Sequence, residues 1–193
     1  HPDMNGFRIT QVYADSTAAR AGLLEGDLIV SVDGDAMTAS SPEHHEELSA
    51  LIRQYASGDT VELGIRRNQE ELKLPVTLSE APKLAREMKK YQDEIFEFTV
   101  RDITFFDRAT EKWKLEQTGV LVEQVLPGGW AGLGQLSASD LIVAIDQQPV
   151  NTVDDVRAKM TSITESAQAY VVFKVRRGIR ILYLELEPKW DKE

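Results

Sequence analysis

Cysteine is absent from this 193-residue chain, which excludes disulfides and thiolate chemistry and selects no compartment. Histidine is scarce: only His1, His44 and His45 occur. Positive charge is outweighed, with 22 Lys and Arg against 32 Asp and Glu, for a formal net charge of −10. A chain of that sign repels phosphate backbones at long range, which argues against a nucleic-acid partner. Its one cationic stretch, 83–90, suits a solvated helix face. No apolar run approaches the roughly 20 residues needed to span a bilayer. The polar opening, residues 1–5, carries no leader pattern. What is present is enough apolar material for packed cores, 42% of the residues. The length fits one large domain or two small ones.

An internal repeat decides between these. Gly6-Phe7-Arg8-Ile9-Thr10-Gln11-Val12 and Gly119-Val120-Leu121-Val122-Glu123-Gln124-Val125 share one pattern, glycine followed by an alternating strand. The same spacing carries Ala18 to Ala131, Leu23 to Leu136, and Asp27-Leu28-Ile29-Val30 to Asp140-Leu141-Ile142-Val143, with Asp33 falling on Asp146. Arg66-Arg67 and Arg176-Arg177 also correspond, once a short insertion around 39–44 is allowed in the first copy. Two copies of one fold follow each other.

Each copy reads as strand, short helix, strand, longer helix and hairpin. In the first, Asp15-Ser16-Thr17 caps a short helix ending at Gly22, and Leu28 to Val32 is a compact strand closed by Asp33-Gly34. Ser41-Pro42 opens a helix running to about Tyr55, with Leu48, Leu51, Ile52 and Tyr55 on its apolar face. The closing hairpin turns at Asn68-Gln69, and Pro75 places its second strand at an edge or bulge. In the second copy Thr152 and Asp155 nearly form a capping box, and Val153, Val156, Met160 and Ile163 make the apolar face. Leu84, Met88 and Tyr91 recur at i, i+4 and i+7, which predicts a connecting helix over 81–94.

The run from Ser16 to Gly34, Ser-Thr-Ala-Ala-Arg-Ala-Gly-Leu-Leu-Glu-Gly-Asp-Leu-Ile-Val-Ser-Val-Asp-Gly, resembles the signature of bacterial PDZ domains. Pro127-Gly128-Gly129-Trp130-Ala131 and Ser139-Asp140-Leu141-Ile142 keep that frame more loosely. The pair is similar to the C-terminal region of HtrA/Do-like serine proteases. The resemblance implies a mainly β fold with α (α+β): two PDZ-like, partly open β-barrels with two helices each. The expected boundaries are 1–80 for the first domain, 81–94 for the helical linker and 95–193 for the second domain. It also implies β-augmentation, in which a target's C-terminal tail adds as a strand between the longer helix and an edge strand. A loop before that strand would offer backbone amides to the terminal carboxylate.

In the second copy, Phe96-Glu97-Phe98 stands at the carboxylate loop, with Glu97 in place of a glycine. A non-glycine there loses easy access to positive φ, and its charge would repel a target's C-terminus. Phe98 and Val100 would face Val153, Val156 and Met160 across the groove, or all five are simply core. Pattern alone does not separate the two. Gly22, Gly26 and Gly34 align with Gln135, Ser139 and Gln147, which predicts rebuilt turns in the second copy. The insertion 105–118, carrying Trp113, is expected as a hairpin or lid. In the first copy the groove would be lined by His44, Leu48, Leu51 and Ile52, but its groove strand is missing. The exposed edge invites a strand from a neighbouring molecule and hence self-association. His44 stands near where some PDZ domains bind a target hydroxyl; alternatively, His44 and His45 are both solvated.

No catalytic centre can be assembled. There is no Gly-x-Ser-x-Gly or Gly-Asn-Ser-Gly-Gly segment. His44 and His45 are adjacent and lack a third convergent metal ligand. No cofactor or metal is expected. The expected partner is a protein or peptide ending in, or presenting, an extended segment. Three roles stay open: the regulatory or substrate-recognition part of an HtrA-like protease, a structural oligomerisation module with closed grooves, or an adaptor without a protease. A periplasmic or otherwise extracytoplasmic place follows only from the resemblance.

Overall fold

The computed structural model describes residues 6–14, 16–37, 45–114 and 116–190. The chain divides into two compact units, His1–Ala81 and Pro82–Glu193. Each is a mixed α+β unit built on an open sheet.

The first unit runs β1 (Phe7–Arg8), α1 (Thr17–Arg20), β2 (Leu28–Val32), β3 (Asp35–Ala36), α2 (His45–Ile52), β4 (Thr60–Arg67) and β5 (Glu70–Thr77). Its sheet order is β1-β2-β4-β5, with β3 also on β2. Ser16 caps α1, its hydroxyl accepting from the Ala19 amide at 3.0 Å. Pro75 lies in β5 at the end of the strand order, where a missing N–H costs the ladder nothing. Leu23, Ile29, Val32, Val61, Leu63, Ile65 and Val76 form the core. The apolar face of α2 packs onto it but stays half-buried at Leu48, Leu51 and Ile52.

The second unit runs β6 (Lys90–Asp93), β7 (Phe98–Asp102), α3 (Phe105–Glu111), β8 (Val120–Val125), α4 (Trp130–Leu133), β9 (Leu141–Ile145), β10 (Gln148–Pro149), α5 (Val153–Glu165), β11 (Val171–Arg177) and β12 (Arg180–Leu186). The strand order is β12-β11-β9-β8-β7-β6, with β10 also on β9. Thr152 and Asp155 do form a capping box at the start of α5. Val153, Val156 and Met160 are fully buried on its inner face.

Three sequence expectations are corrected here. The helix over 81–94 does not form: only Ala85–Glu87 makes a 3-10 turn, and Lys90–Asp93 is a strand. The helical spacing of Leu84, Met88 and Tyr91 is outweighed by a period of two, with Tyr91 and Asp93 turned inward and Lys90 and Gln92 exposed. A short isolated helix is marginal in water, whereas the open edge of β7 offers ladder partners to all four residues. The insertion 105–118 begins as a helix rather than a hairpin, because Thr104 and Asp107 form a capping box ahead of it. The turns of the second copy are not rebuilt. Gln135, Ser139 and Gln147 take φ of +68°, +72° and +66°, matching +85°, +93° and +89° at Gly22, Gly26 and Gly34. The repeat keeps the backbone and accepts left-handed side-chain-bearing residues.

Candidate functional site

The longest helix of the second unit, α5, and the strand β7 both pack against β6. One edge of β7 pairs with β8, from Phe98 opposite Val125 to Asp102 opposite Val120. Its other edge pairs antiparallel with β6: Lys90 faces Arg101, Tyr91 faces Val100, Gln92 faces Thr99 and Asp93 faces Phe98. The Asp102 amide extends this ladder to the Lys89 carbonyl at 3.1 Å. β6 therefore runs along the edge of β7 and lies against α5.

Asp93 closes the strand at the turn formed by residues 94–97. It is 4% exposed. One carboxylate oxygen accepts from the backbone amides of Ile95 and Phe96 at 3.0 and 2.8 Å. The other accepts from the Tyr91 hydroxyl at 2.9 Å, and the Asp93 carbonyl accepts from the Glu97 amide at 2.9 Å. Three successive amides thus converge on one acidic residue, an arrangement suited to an anion. Burial, reinforced by the Asp93 hydrogen bond, pushes the Tyr91 hydroxyl well above its usual range.

Side chains fasten β6 to its neighbours. The Arg157 guanidinium of α5 lies 5.5 Å from the centre of the Tyr91 ring. Lys89 pairs with Asp154 at 2.5 Å and Lys90 with Glu123 at 2.7 Å. Asp102 holds helix and strand together by accepting from the Val153 amide at 2.7 Å. Behind β7, the buried Arg101 binds both oxygens of Asp107 at 2.6 and 2.9 Å. Burial alone would raise the Asp107 carboxyl, but hydrogen bonds from Arg101 and Thr104 outweigh it and hold it low.

Glu97 reaches φ +63° despite its side chain, so the loop keeps a left-handed residue without glycine. Its side chain lies over Gly129: a Cβ there would stand 2.8 Å from the Glu97 Cβ. The loop is further held by the Phe96 carbonyl, which accepts from the Ala131 amide at 3.0 Å, and by the Glu97 carbonyl, which accepts from Leu126.

Phe96, Phe98, Val100, Val153, Val156 and Met160 come together in one core cluster, each no more than 2% exposed. Glu97 is half-buried beside them. In the first unit Leu48, Leu51 and Ile52 share one half-buried face of α2, and His44 lies outside the described residues. No strand among the described residues pairs with the outer edge of β1, whereas β8, its repeat counterpart, is paired on both edges. Trp113 is partly buried, and its indole N–H has no hydrogen-bond partner among the described residues.

Sequence reasoning missed Tyr91, Asp93, Asp154 and Arg157. The alternation of Tyr91 and Asp93 ahead of Phe96-Glu97-Phe98 was the available signal. Among the described residues no cluster of three or more carboxylates and histidines could hold a metal. No helix there is long and apolar enough to cross a membrane. With histidine confined to positions 1, 44 and 45, no catalytic triad is found in this chain.

One family model described as a PDZ domain matches residues 8–67, and a second matches residues 88–172. The periplasmic pH-dependent serine endoprotease DegQ of Escherichia coli K12 is 24% identical over 93% of this chain and 36% of its own length. A probable periplasmic serine endoprotease DegP-like of Hahella chejuensis is 30% identical over 77% of this chain and 31% of its own. The periplasmic serine endoprotease DegP of Salmonella typhimurium is 24% identical over 94% of this chain and 34% of its own. The chain spans about a third of the length of these relatives.

Proposed function

This chain belongs to the PDZ family, as a tandem of two peptide-binding domains similar to the C-terminal PDZ region of bacterial DegP-like serine proteases. We propose that it is the non-catalytic regulatory or substrate-recognition part of such a protease, and that it takes C-terminal or extended segments by strand addition along β7. The observation that carries this reading is the β7 edge itself. It accepts an extended segment antiparallel, beneath α5, with a carboxylate seated on the amides of Ile95 and Phe96. Ligand specificity would come from Tyr91-like and Asp93-like positions rather than from the fully buried Val156 and Met160. The periplasmic relatives support an extracytoplasmic place, and the acidic charge disfavours nucleic acid.

A peptide-library screen tests it. Binders in the micromolar range that lose affinity when the C-terminal carboxylate is amidated support the reading; a library without carboxylate-dependent binders rejects it.

A second reading, an assembly module, is favoured by the first unit. There the outer edge of β1 and the half-buried face of α2 would receive a strand from another copy or another segment. Sedimentation of the chain across a concentration series checks this, and a monomer at every concentration argues against self-association. An adaptor role without a protease is separated from both by the sequence of the full-length protein.

A further inference from the structure

We infer that residues 89–93 are an internal ligand of the second unit's groove, and that an outside peptide occupies the groove only by displacing them. This rests on the strand-addition reading above.

Direction comes first. β6 runs antiparallel to β7 and ends at the converging amides, the course required of a peptide whose C-terminus is to be captured there. Chemistry comes second. Asp93 offers the amides of Ile95, Phe96 and Glu97 a carboxylate and a carbonyl, the acceptors that a terminal carboxylate would bring. Side chains come third. Tyr91, two residues before Asp93, lies against Arg157 of α5, and Lys89, two residues earlier again, pairs with Asp154.

The hold is uneven along the strand. Lys89 and Asp154 are each 58% exposed, and exposed pairs contribute little. The anchor is concentrated at Tyr91 and Asp93. A four-residue turn tethers the segment, so its effective concentration at the groove is high, and an outside ligand binds with an affinity reduced by the fraction of time the groove stands open. The internal segment also specifies its competitor. That competitor is a peptide with a free C-terminal carboxylate, an aromatic side chain two residues before the end and a basic one two residues before that. Because residues 89–93 precede the second unit's groove strand, capture of such a peptide releases the opening segment of that unit from its sheet.

The absence of cysteine permits a reversible test. Gln92 and Thr99 face each other across the β6–β7 ladder, within the spacing a disulfide can bridge. In the Gln92→Cys/Thr99→Cys variant, oxidation clamps β6 in place and reduction frees it. A fluorescent KKYQA peptide with a free C-terminus should bind the reduced protein, fail to bind the oxidised protein, and lose binding when amidated. In a second variant, Tyr91→Ala/Asp93→Ala, the same peptide should bind about tenfold more tightly, or better, than to the parent chain. Equal binding in the two redox states overturns the internal-ligand assignment and leaves peptide capture standing. Failure of the peptide to bind in any state, together with a library free of carboxylate-dependent binders, overturns both.

Discussion

Arg67 grips both carboxylate oxygens of Asp27, from Nε and Nη2, at 2.7 Å each. Arg177 holds Asp140 in the same way and at the same distances. Each guanidinium also donates to a carbonyl of the preceding turn, at Gly22 and Gln135. The repeat thus conserves a device that pins the short-helix turn to the end of the hairpin, with an arginine fork matched to a planar carboxylate.

This pair gives a pH prediction for the first unit. The hydrogen bonds from Arg67, against the opposing effect of burial and aided by the Leu24 amide, hold the Asp27 carboxyl below its usual value. A group so depressed stabilises the fold at every pH above its unfolded value, about 3.9, and loses that contribution as pH falls through the lower folded value. Urea denaturation followed on β4 amide resonances should give midpoints that are flat from about pH 7 to 5 and fall below about pH 4. Arg67→Gln should flatten that fall; an unchanged acid limb contradicts the assignment.

Left-handed residues in the second unit predict a gain from glycine. Ser139→Gly and Gln147→Gly should each stabilise by about 0.5 kcal/mol, the relief of left-handed strain exceeding the added backbone entropy of the unfolded chain. The reverse changes, Gly26→Ser and Gly34→Gln, meet no atom within 4 Å of the new Cβ. Their cost, about 1 kcal/mol each, is conformational. Tryptophan fluorescence reads the second unit alone, since Trp113, Trp130 and Trp190 all lie within it.

Glu97 and Gly129 should behave as a coupled pair. Gly129→Ala places a Cβ against the stem of Glu97 and should cost about 1–3 kcal/mol through overpacking. Adding Glu97→Gly should recover most of it. Additive effects in a double-mutant cycle would show that the contact carries no energy.

Asp102→Ala should loosen α5 from β7. It removes the acceptor of the Val153 amide, a capping loss of about 1 kcal/mol. Carboxylate-dependent peptide binding should weaken in parallel. Unchanged stability with unchanged binding would show that Thr152 and Asp155 alone position the helix.

Much of this was legible in the sequence because the repeat compares each position with another copy of itself. Strands β2, β4, β5, β8, β9, β11 and β12, the Thr152–Asp155 box and the edge position of Pro75 follow from local chemistry, whereas the alternation after Gly6 yields a strand only over Phe7–Arg8. The linker did not, since over Lys90 to Asp93 the helical spacing of Leu84, Met88 and Tyr91 competes with a period of two, and only the β7 edge across the turn at 94–97 decides for the strand. Glu97, Gln135, Ser139 and Gln147 misled for a related reason: glycine marks a left-handed turn when present, but the neighbouring hydrogen bonds can impose that turn without it. Phe98, Val100, Val156 and Met160 stayed ambiguous because a buried face and a groove face share one periodicity.

Arg101 ties the back of β7 to α3, Asp102 ties its end to α5, and β8 pairs its inner edge. A strand restrained on three sides has no conformational freedom left to surrender when something is laid along the fourth. The entropy of ordering then falls on the arriving segment, offset by the freedom that the displaced residues 89–93 regain, so stiffening that segment in an extended form improves its affinity directly, while stiffening β7 further gains nothing.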